Sequence, residues 1–249
     1  MMPDTAPELA TGCACVEWDS EFFGRRIARV DPARFQADPE AVDAWCAERC
    51  IDCVYLLVDV AESGATATAQ AHGFRLVDVR VTLEADLASG QTEVVSAVGA
   101  VVRSATPEDI EALRAVARVS HRFTRFYVDG HFDRTRCDDL YELWITKSCG
   151  GWSDRVLVVE AEGRAAAYVT CHLRDRTGAI GLFAVAPEFR GLGFGGVLLE
   201  RARQWFVEQE KTRMTVVTQA RNASALRLYQ RAGMDVTAIE LWFHKWRKA

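Results

Sequence analysis

The sequence has no run of about 18 uncharged apolar residues, which excludes a membrane-spanning helix. Its opening, MMPDTAPELATG, has neither a basic n-region nor an apolar h-region, so no secretory signal is expected. Cysteine is too dilute for a disulfide scaffold. With eight in 249 residues and no signal, reduced thiols in a cytoplasm are expected. Excess positive charge is missing as well. Thirty Lys+Arg stand against 35 Asp+Glu, a formal charge of −5, which excludes a generally basic nucleic-acid binder. What is present is apolar material: 49% of residues are hydrophobic, enough for one large core or two modest ones rather than a disordered chain.

The charge is uneven. Residues 1–90 contain no lysine, seven arginines and 16 acids, giving −9, while the rest of the chain carries +4. The second half is therefore the better host for an anionic ligand. Cys46, Cys50 and Cys53 have the C-x3-C-x2-C spacing of a radical-SAM iron–sulfur site. Such a cluster needs its thiolates on one flexible loop. Here the first cysteine continues a helix-like segment and the last begins an apolar strand, so buried structural thiols are expected and no metal is implied.

From residue 99 onward the pattern reads β-α-α-β-β-β-α-β-α-β. Val101–Arg103 is a short strand. Thr106-Pro107-Glu108-Asp109 supplies an N-cap, a proline at the first turn and acids at the positive helix end. Strands are expected at 155–161, 165–173, 179–186, 214–219 and 236–244. A shift of 160 residues lays the first half on the end of the second: Trp45 on Trp205, Val54–Val58 on Met214–Thr218, Gly73 on Gly233. Chemistry does not carry over, because Ala69 falls where Tyr229 lies. The expected organisation is a truncated half-domain at 1–88 without a cofactor loop, a linker at 89–99, and a competent domain at 100–249.

The strongest signal is a strand running into Arg190-Gly191-Leu-Gly193-Phe-Gly195-Gly196 and then into a helix. Glycines let successive amides point into one concavity, and the helix start adds its positive dipole end, which suits a pyrophosphate. No lysine follows, so this is not a P-loop. The loop follows antiparallel hairpins, so it is not a dinucleotide fingerprint either.

These residues resemble the R-x-x-G-x-G loop of the Gcn5-related N-acetyltransferases (GNAT). Asn222-Ala-Ser-Ala-Leu-Arg-Leu-Tyr229-Gln-Arg-Ala-Gly233 looks like that family's N-x-x-A-x-x-x-Y-x-x-x-G-F element, with Met234 in place of the aromatic. Asn222 and Tyr229 are about two helical turns apart and share a face. The resemblance implies an α/β (α+β) GNAT fold with a mixed, mostly antiparallel sheet flanked by helices, and acetyl-CoA as co-substrate. It implies that backbone groups of Phe183 and Val185 pair with the pantetheine amides. The amides of Arg190 to Gly196 would hold the pyrophosphate and Asn222 the pantetheine arm. Tyr229 would protonate the departing thiolate. A base is left unassigned among His121, Asp129, His131, His172 and Glu240.

Val16-Glu-Trp18-Asp19-Ser-Glu-Phe22-Phe23-Gly24 is similar to the opening W-[DE]-x-x-F-F-G of the TDP-fucosamine acetyltransferases. Their aromatic, Arg-containing acceptor loop resembles the stretch with Arg122, Phe123, Arg125, Tyr127 and His131. This implies a TDP-linked 4-amino-4,6-dideoxyhexose as acceptor, with neither a nucleic acid nor a membrane as partner, and allows a homodimer. Another small amine, an aminoglycoside or a protein N-terminus stays open as acceptor, as does a non-catalytic acyl-CoA-binding module.

Overall fold

The computed structural model describes residues 12–87 and 100–247; the expected linker lies outside the described residues. The first half forms β1 (Cys13–Cys15), α1 (Glu17–Phe23), β2 (Ile27–Val30), α2 (Pro32–Ala37), α3 (Pro39–Glu48), β3 (Cys53–Asp59), α4 (Ser63–Ala71) and β4 (Arg75–Asp86). The second forms β5 (Val101–Ser104), α5 (Ile110–Ser120), α6 (Arg125–Asp129), α7 (Arg134–Lys147), β6 (Arg155–Ala161), β7 (Arg164–Arg174), β8 (Thr177–Val185), α8 (Phe194–Glu208), β9 (Arg213–Gln219), α9 (Ala223–Arg231) and β10 (Asp235–Trp246). The expected order of the second half is present, with the short α6 added in the polar stretch between its first two helices. The Thr106 turn closes as a reciprocal capping box with Asp109, which Arg103 grips at 2.6 and 2.9 Å.

The ten strands of the described residues join one mixed sheet, ordered β1-β2-β3-β10-β4-β9-β8-β7-β6-β5. The sheet is continuous across the boundary expected near residue 88, because the halves trade strands. Strand β4 lies between β9 and β10, and β10 lies between β3 and β4. The 160-residue repeat is visible in the geometry. Strand β3, helix α4 and strand β4 recur as β9, α9 and β10 with every boundary displaced by 160 residues. Pairing follows suit: Asp59 faces Glu240 as Gln219 faces Arg80, and Arg80 faces Glu240 at the centre, where the two form an ion pair. Gly73 and Gly233 hold φ of +79° and +74° at matching turns, a conformation open to glycine at little cost.

The core sits around β6 to β8. Ala165 to Cys171 are buried without a break. A strand sends successive side chains to opposite faces, so unbroken burial needs cover on both. Helices α5 and α8 both pack on β7. Helix α1 ties the first half to the second through aromatic contacts: Trp18 lies 6.1 Å from Trp144, and Phe23 lies 4.5 Å from Phe132. Gly24 ends that helix at φ +62°, its N–H donated to the Ser20 carbonyl. Cys46 is buried in α3 and Cys53 in β3, with Cys50 exposed on the turn between, so the three thiols share no loop.

Candidate active site

The cleft begins where a ladder stops. Strands β8 and β9 pair in parallel from Thr177–Arg213 to Ile180–Val216 and then diverge. A bulge accounts for the departure. Gly181 and Leu182 together oppose Thr170 of β7, and the Leu182 N–H bonds to the Thr170 hydroxyl at 2.7 Å instead of a ladder carbonyl. Only glycine fits at 181, since a Cβ there would lie 2.6 Å from that hydroxyl. The bent strand carries Phe183 and Val185 along the wall of a cavity of about 1220 Å³.

Past Pro187–Phe189 the chain makes the glycine turn. Gly191 and Gly193 adopt φ of +83° and +85°, and Gly193 is the N-cap of the 15-residue α8. Phe189 and Phe194, both buried, stack 5.8 Å apart and pin the turn from below. Gly191, Gly193, Gly195 and Gly196 all line the cavity. Arg190 lines it too, and its Nε donates to the Val185 carbonyl at 3.1 Å, tying loop to strand. Asn222 caps α9 by accepting from the Ala225 N–H at 3.3 Å. Seven residues on, Tyr229 is buried edge-on to Phe183 at 6.1 Å, and burial pushes its phenol well above the usual tyrosine range. The structure thus gathers every expected cofactor residue and Tyr229 around one cleft.

The opposite wall comes partly from the first half. Trp18 and Asp19 of α1, Arg29 of β2, Tyr55 of β3 and Asp78 of β4 line the same cavity. Arg122 and the exposed Phe123 stand at its edge as expected. Arg125 is held among aromatic faces, its guanidinium 4.1 Å from the Tyr55 ring centre and 4.3 Å from that of Trp242. Tyr127 and His131 are not brought to this cleft. The Tyr127 hydroxyl donates to Asp138 at 2.7 Å, and His131 stacks on Trp246 beside a separate hollow with Arg25 and Arg136. The stretch turns through α6, so its residues face two ways.

Of the five candidate bases, His121 lines the cleft, but burial lowers its pKa to about 3 and it shares a hydrogen bond with the Tyr168 hydroxyl. His172 is lowered to about 4 by burial, and Glu240 is taken by Arg80. Asp129 lies in a buried knot. It bonds to His244 Nδ1 at 2.5 Å, His131 Nδ1 at 2.9 Å and Trp246 Nε1 at 2.8 Å. Cys53, Asp129 and His244 come within 4.8 Å of one another. Asp129 and His244 bond directly to each other, and Arg125 stands 3.3 Å from His244 Nε2, so both already have partners. The knot supports Arg125 from behind.

Asp78 was not found from sequence. It is 3% exposed, accepts from the Val79 N–H at 2.9 Å and from the Arg125 backbone, and lies 3.8 Å from Arg221. Burial outweighs these partners and raises its pKa to about 6.

A splayed parallel strand pair, a glycine turn at a helix start and a tyrosine on the following helix thus share one cleft, an arrangement suited to an acyl-CoA-dependent transferase. Residues 116–234 match the Acetyltransferase (GNAT) family. The chain is 28% identical over 233 residues to the dTDP-fucosamine acetyltransferase of Escherichia coli O6:H1, covering 92% of this chain and 95% of that one. It is 28% identical over 140 residues to the spore coat polysaccharide biosynthesis protein SpsD of Bacillus subtilis, covering 56% and 48%. The fold matches a GCN5-related N-acetyltransferase from Sphaerobacter thermophilus with a TM-score of 0.69 at 18% identity, over 94% of this chain and 76% of that one.

Proposed function

We propose that this protein transfers the acetyl group of acetyl-CoA to the 4-amino group of a dTDP-linked 4-amino-4,6-dideoxyhexose. The observation that carries this reading is a single cleft lined by cationic groups from both halves of the chain. Arg190 of the glycine turn, Arg227 and Arg231 of α9, Arg29 of β2, Arg122 and Arg125 all line it. Six arginines against three acids suit two pyrophosphates, one from each substrate. Exposed Phe123 and half-buried Trp18 offer ring faces for a base.

In this reading the amides of Arg190 to Gly196 hold the acetyl-CoA pyrophosphate, Phe183 and Val185 pair with pantetheine, and Asn222 contacts the same arm. The amine attacks the acetyl carbonyl, and Tyr229 protonates the CoA thiolate as the C–S bond breaks. The constant 160-residue offset supports an internal duplication in which residues 1–88 lost the cofactor loop and became the acceptor wall. Acetyl transfer measured across dTDP-, UDP- and GDP-linked aminohexoses and simple amines tests the assignment. Selective turnover of the dTDP-linked 4-amino sugar is expected; turnover of polyamines or peptides with no nucleotide sugar refutes it.

A further inference from the structure

We infer that Asp19 and Arg125 form the subsite that grips the acceptor's sugar ring, through the hydroxyl on the carbon next to the amine. The inference rests on the aminohexose acetylation proposed above.

Helix α1 delivers Asp19 from the opening motif. The helix is pinned at its start. The Val16 N–H donates to the Ile27 carbonyl at 2.8 Å, and Ser20 Oγ donates to the Val16 carbonyl at 2.7 Å while accepting from the Ile27 N–H at 2.9 Å. Trp18 packs on Phe22 and Trp144, Phe23 packs on Phe132, and Asp19 lines the cleft. There its carboxylate lies 3.6 Å from the Arg125 guanidinium, and the Tyr55 phenol faces it as well.

Arg125 is fixed on every side. The rings of Tyr55, Phe126 and Trp242 stand 4.1, 4.3 and 4.3 Å from its guanidinium carbon. Behind, it donates to His244 Nε2 at 3.3 Å, and His244, stacked on Tyr55 at 4.5 Å, donates from Nδ1 to Asp129. An imidazole that accepts in this way is neutral, so it orients the guanidinium without cancelling its charge. The Arg125 backbone N–H bonds to Asp78, and the next carbonyl along β4, that of Val79, accepts from the Ala220 N–H at 2.8 Å. The pair therefore stands beside the connection that leads into Asn222 and the Tyr229 helix.

What the pair offers is a donor and an acceptor side by side, with no net charge between them. A phosphate clamp differs, because its cations converge on the anion uncompensated. A hydroxyl both donates and accepts, so it can give its proton to Asp19 and take one from Arg125. A guanidinium has several donors and a carboxylate several acceptor positions, and pairing with each other exhausts neither. The two side chains are only 13% and 16% exposed, at the cavity wall. Ion pairs this buried seldom offset their own desolvation, so one locked in a single geometry at a cleft serves recognition rather than stability. In a 4-amino-4,6-dideoxyhexose the hydroxyl adjacent to the amine is on C3, and C6 is a methyl. Holding the C3 hydroxyl orients the amine on the next carbon, while the surfaces of Tyr55 and Trp242 suit the methyl and the C–H edges of the ring.

The test pairs a change in the protein with a change in the substrate. CoA thiol release gives kcat/KM for the dTDP-linked 4-amino-4,6-dideoxyhexose and for its 3-deoxy analogue, in wild type, Asp19→Asn and Asp19→Ala. Wild type should fall by about 10- to 100-fold when the hydroxyl is removed, the range for a hydrogen bond to a charged group. Asp19→Asn keeps the size with a neutral acceptor and should cut that penalty to about 2- to 10-fold. Asp19→Ala should reduce it to no more than about two-fold, and both variants should bind acetyl-CoA with unchanged Kd. A penalty equal in all three proteins, or absent from wild type, overturns the inference. Loss of acetyl-CoA binding together with activity in both variants also overturns it, since that marks a structural role. The nucleotide is tested separately, with the free 4-amino-4,6-dideoxyhexose in the same assay. If the free sugar is turned over as well as the dTDP-linked one and the penalty follows Asp19, the nucleotide assignment fails and the subsite stands. If the dTDP-linked sugar is selected but the penalty ignores Asp19, the subsite fails and the assignment stands. If no aminohexose is turned over, both fail.

Discussion

Replacing His244 by glutamine should make the fold less sensitive to acid. His244 is 1% exposed; its Nδ1 donates to Asp129, and its Nε2 accepts from the Arg125 guanidinium. Burial lowers its pKa to about 4, with Arg125 acting in the same direction and Asp129 against it. In the unfolded chain an imidazole titrates near about 6.5. Between those values the unfolded chain binds the extra proton, so stability is full above about pH 6.5 and falls as pH drops toward 4. At about 1.36 kcal/mol per unit, lowering pH from about 7.5 to about 4.5 removes roughly 2–3 kcal/mol through this residue. Asp129, held below the usual carboxylate range by its partners, stays ionised in that window. Asp78 has the opposite sign: its pKa is raised to about 6, so its contribution is lost as pH rises. It is present in both proteins and cancels in the difference. Glutamine can donate to Asp129 and accept from Arg125 without titrating. Urea unfolding of both proteins at the two pH values provides the measurement. Wild type should lose about 2–3 kcal/mol more than the variant. Parallel losses would refute the buried neutral imidazole.

Two other substitutions separate chemistry from binding. Tyr229→Phe keeps the ring against Phe183 and should lower kcat by about 10-fold to 1000-fold with acetyl-CoA affinity unchanged; an unaltered kcat would remove the phenol from the mechanism. Gly193→Ala places a Cβ at φ +85°, a left-handed strain of roughly 1–2 kcal/mol. Calorimetric titration should show acetyl-CoA binding weakened by about ten-fold, and unchanged binding would dissociate this turn from the pyrophosphate.

What the sequence disclosed follows from where the determinants lie along the chain. The glycine turn and the Asn222–Tyr229 helix are contiguous, and their backbone requirements are written in local residue types. The repeat was legible because its spacing has no insertion. Asp78 was hidden for the opposite reason. In Val77-Asp-Val-Arg-Val81 it has the alternation of any half-exposed strand, and nothing local marks the neighbouring β9. Arg122, Phe123 and Arg125 reach the cleft while Tyr127 and His131 do not, because α6 rotates the chain between them. The opening Trp18-to-Gly24 motif has a double purpose: Phe22 and Phe23 are packing groups, Trp18 and Asp19 also line the cavity.

The exchanged strands also govern how the chain folds and how far it can be cut. Among the described residues the sheet's edges fall on the short β1 and β5, three and four residues long. A fragment beginning at residue 100 would lack β4 and leave β9 and β10 with bare ladder groups facing an empty slot. Such edges are templates for pairing with another chain. The predicted behaviour of that fragment is association with further copies or aggregation, not a smaller working enzyme. Folding of the intact chain must likewise wait for contacts between residues some 160 positions apart, a slow, high-contact-order step. The first half is therefore indispensable to the second, whose strands have no complete sheet without β4.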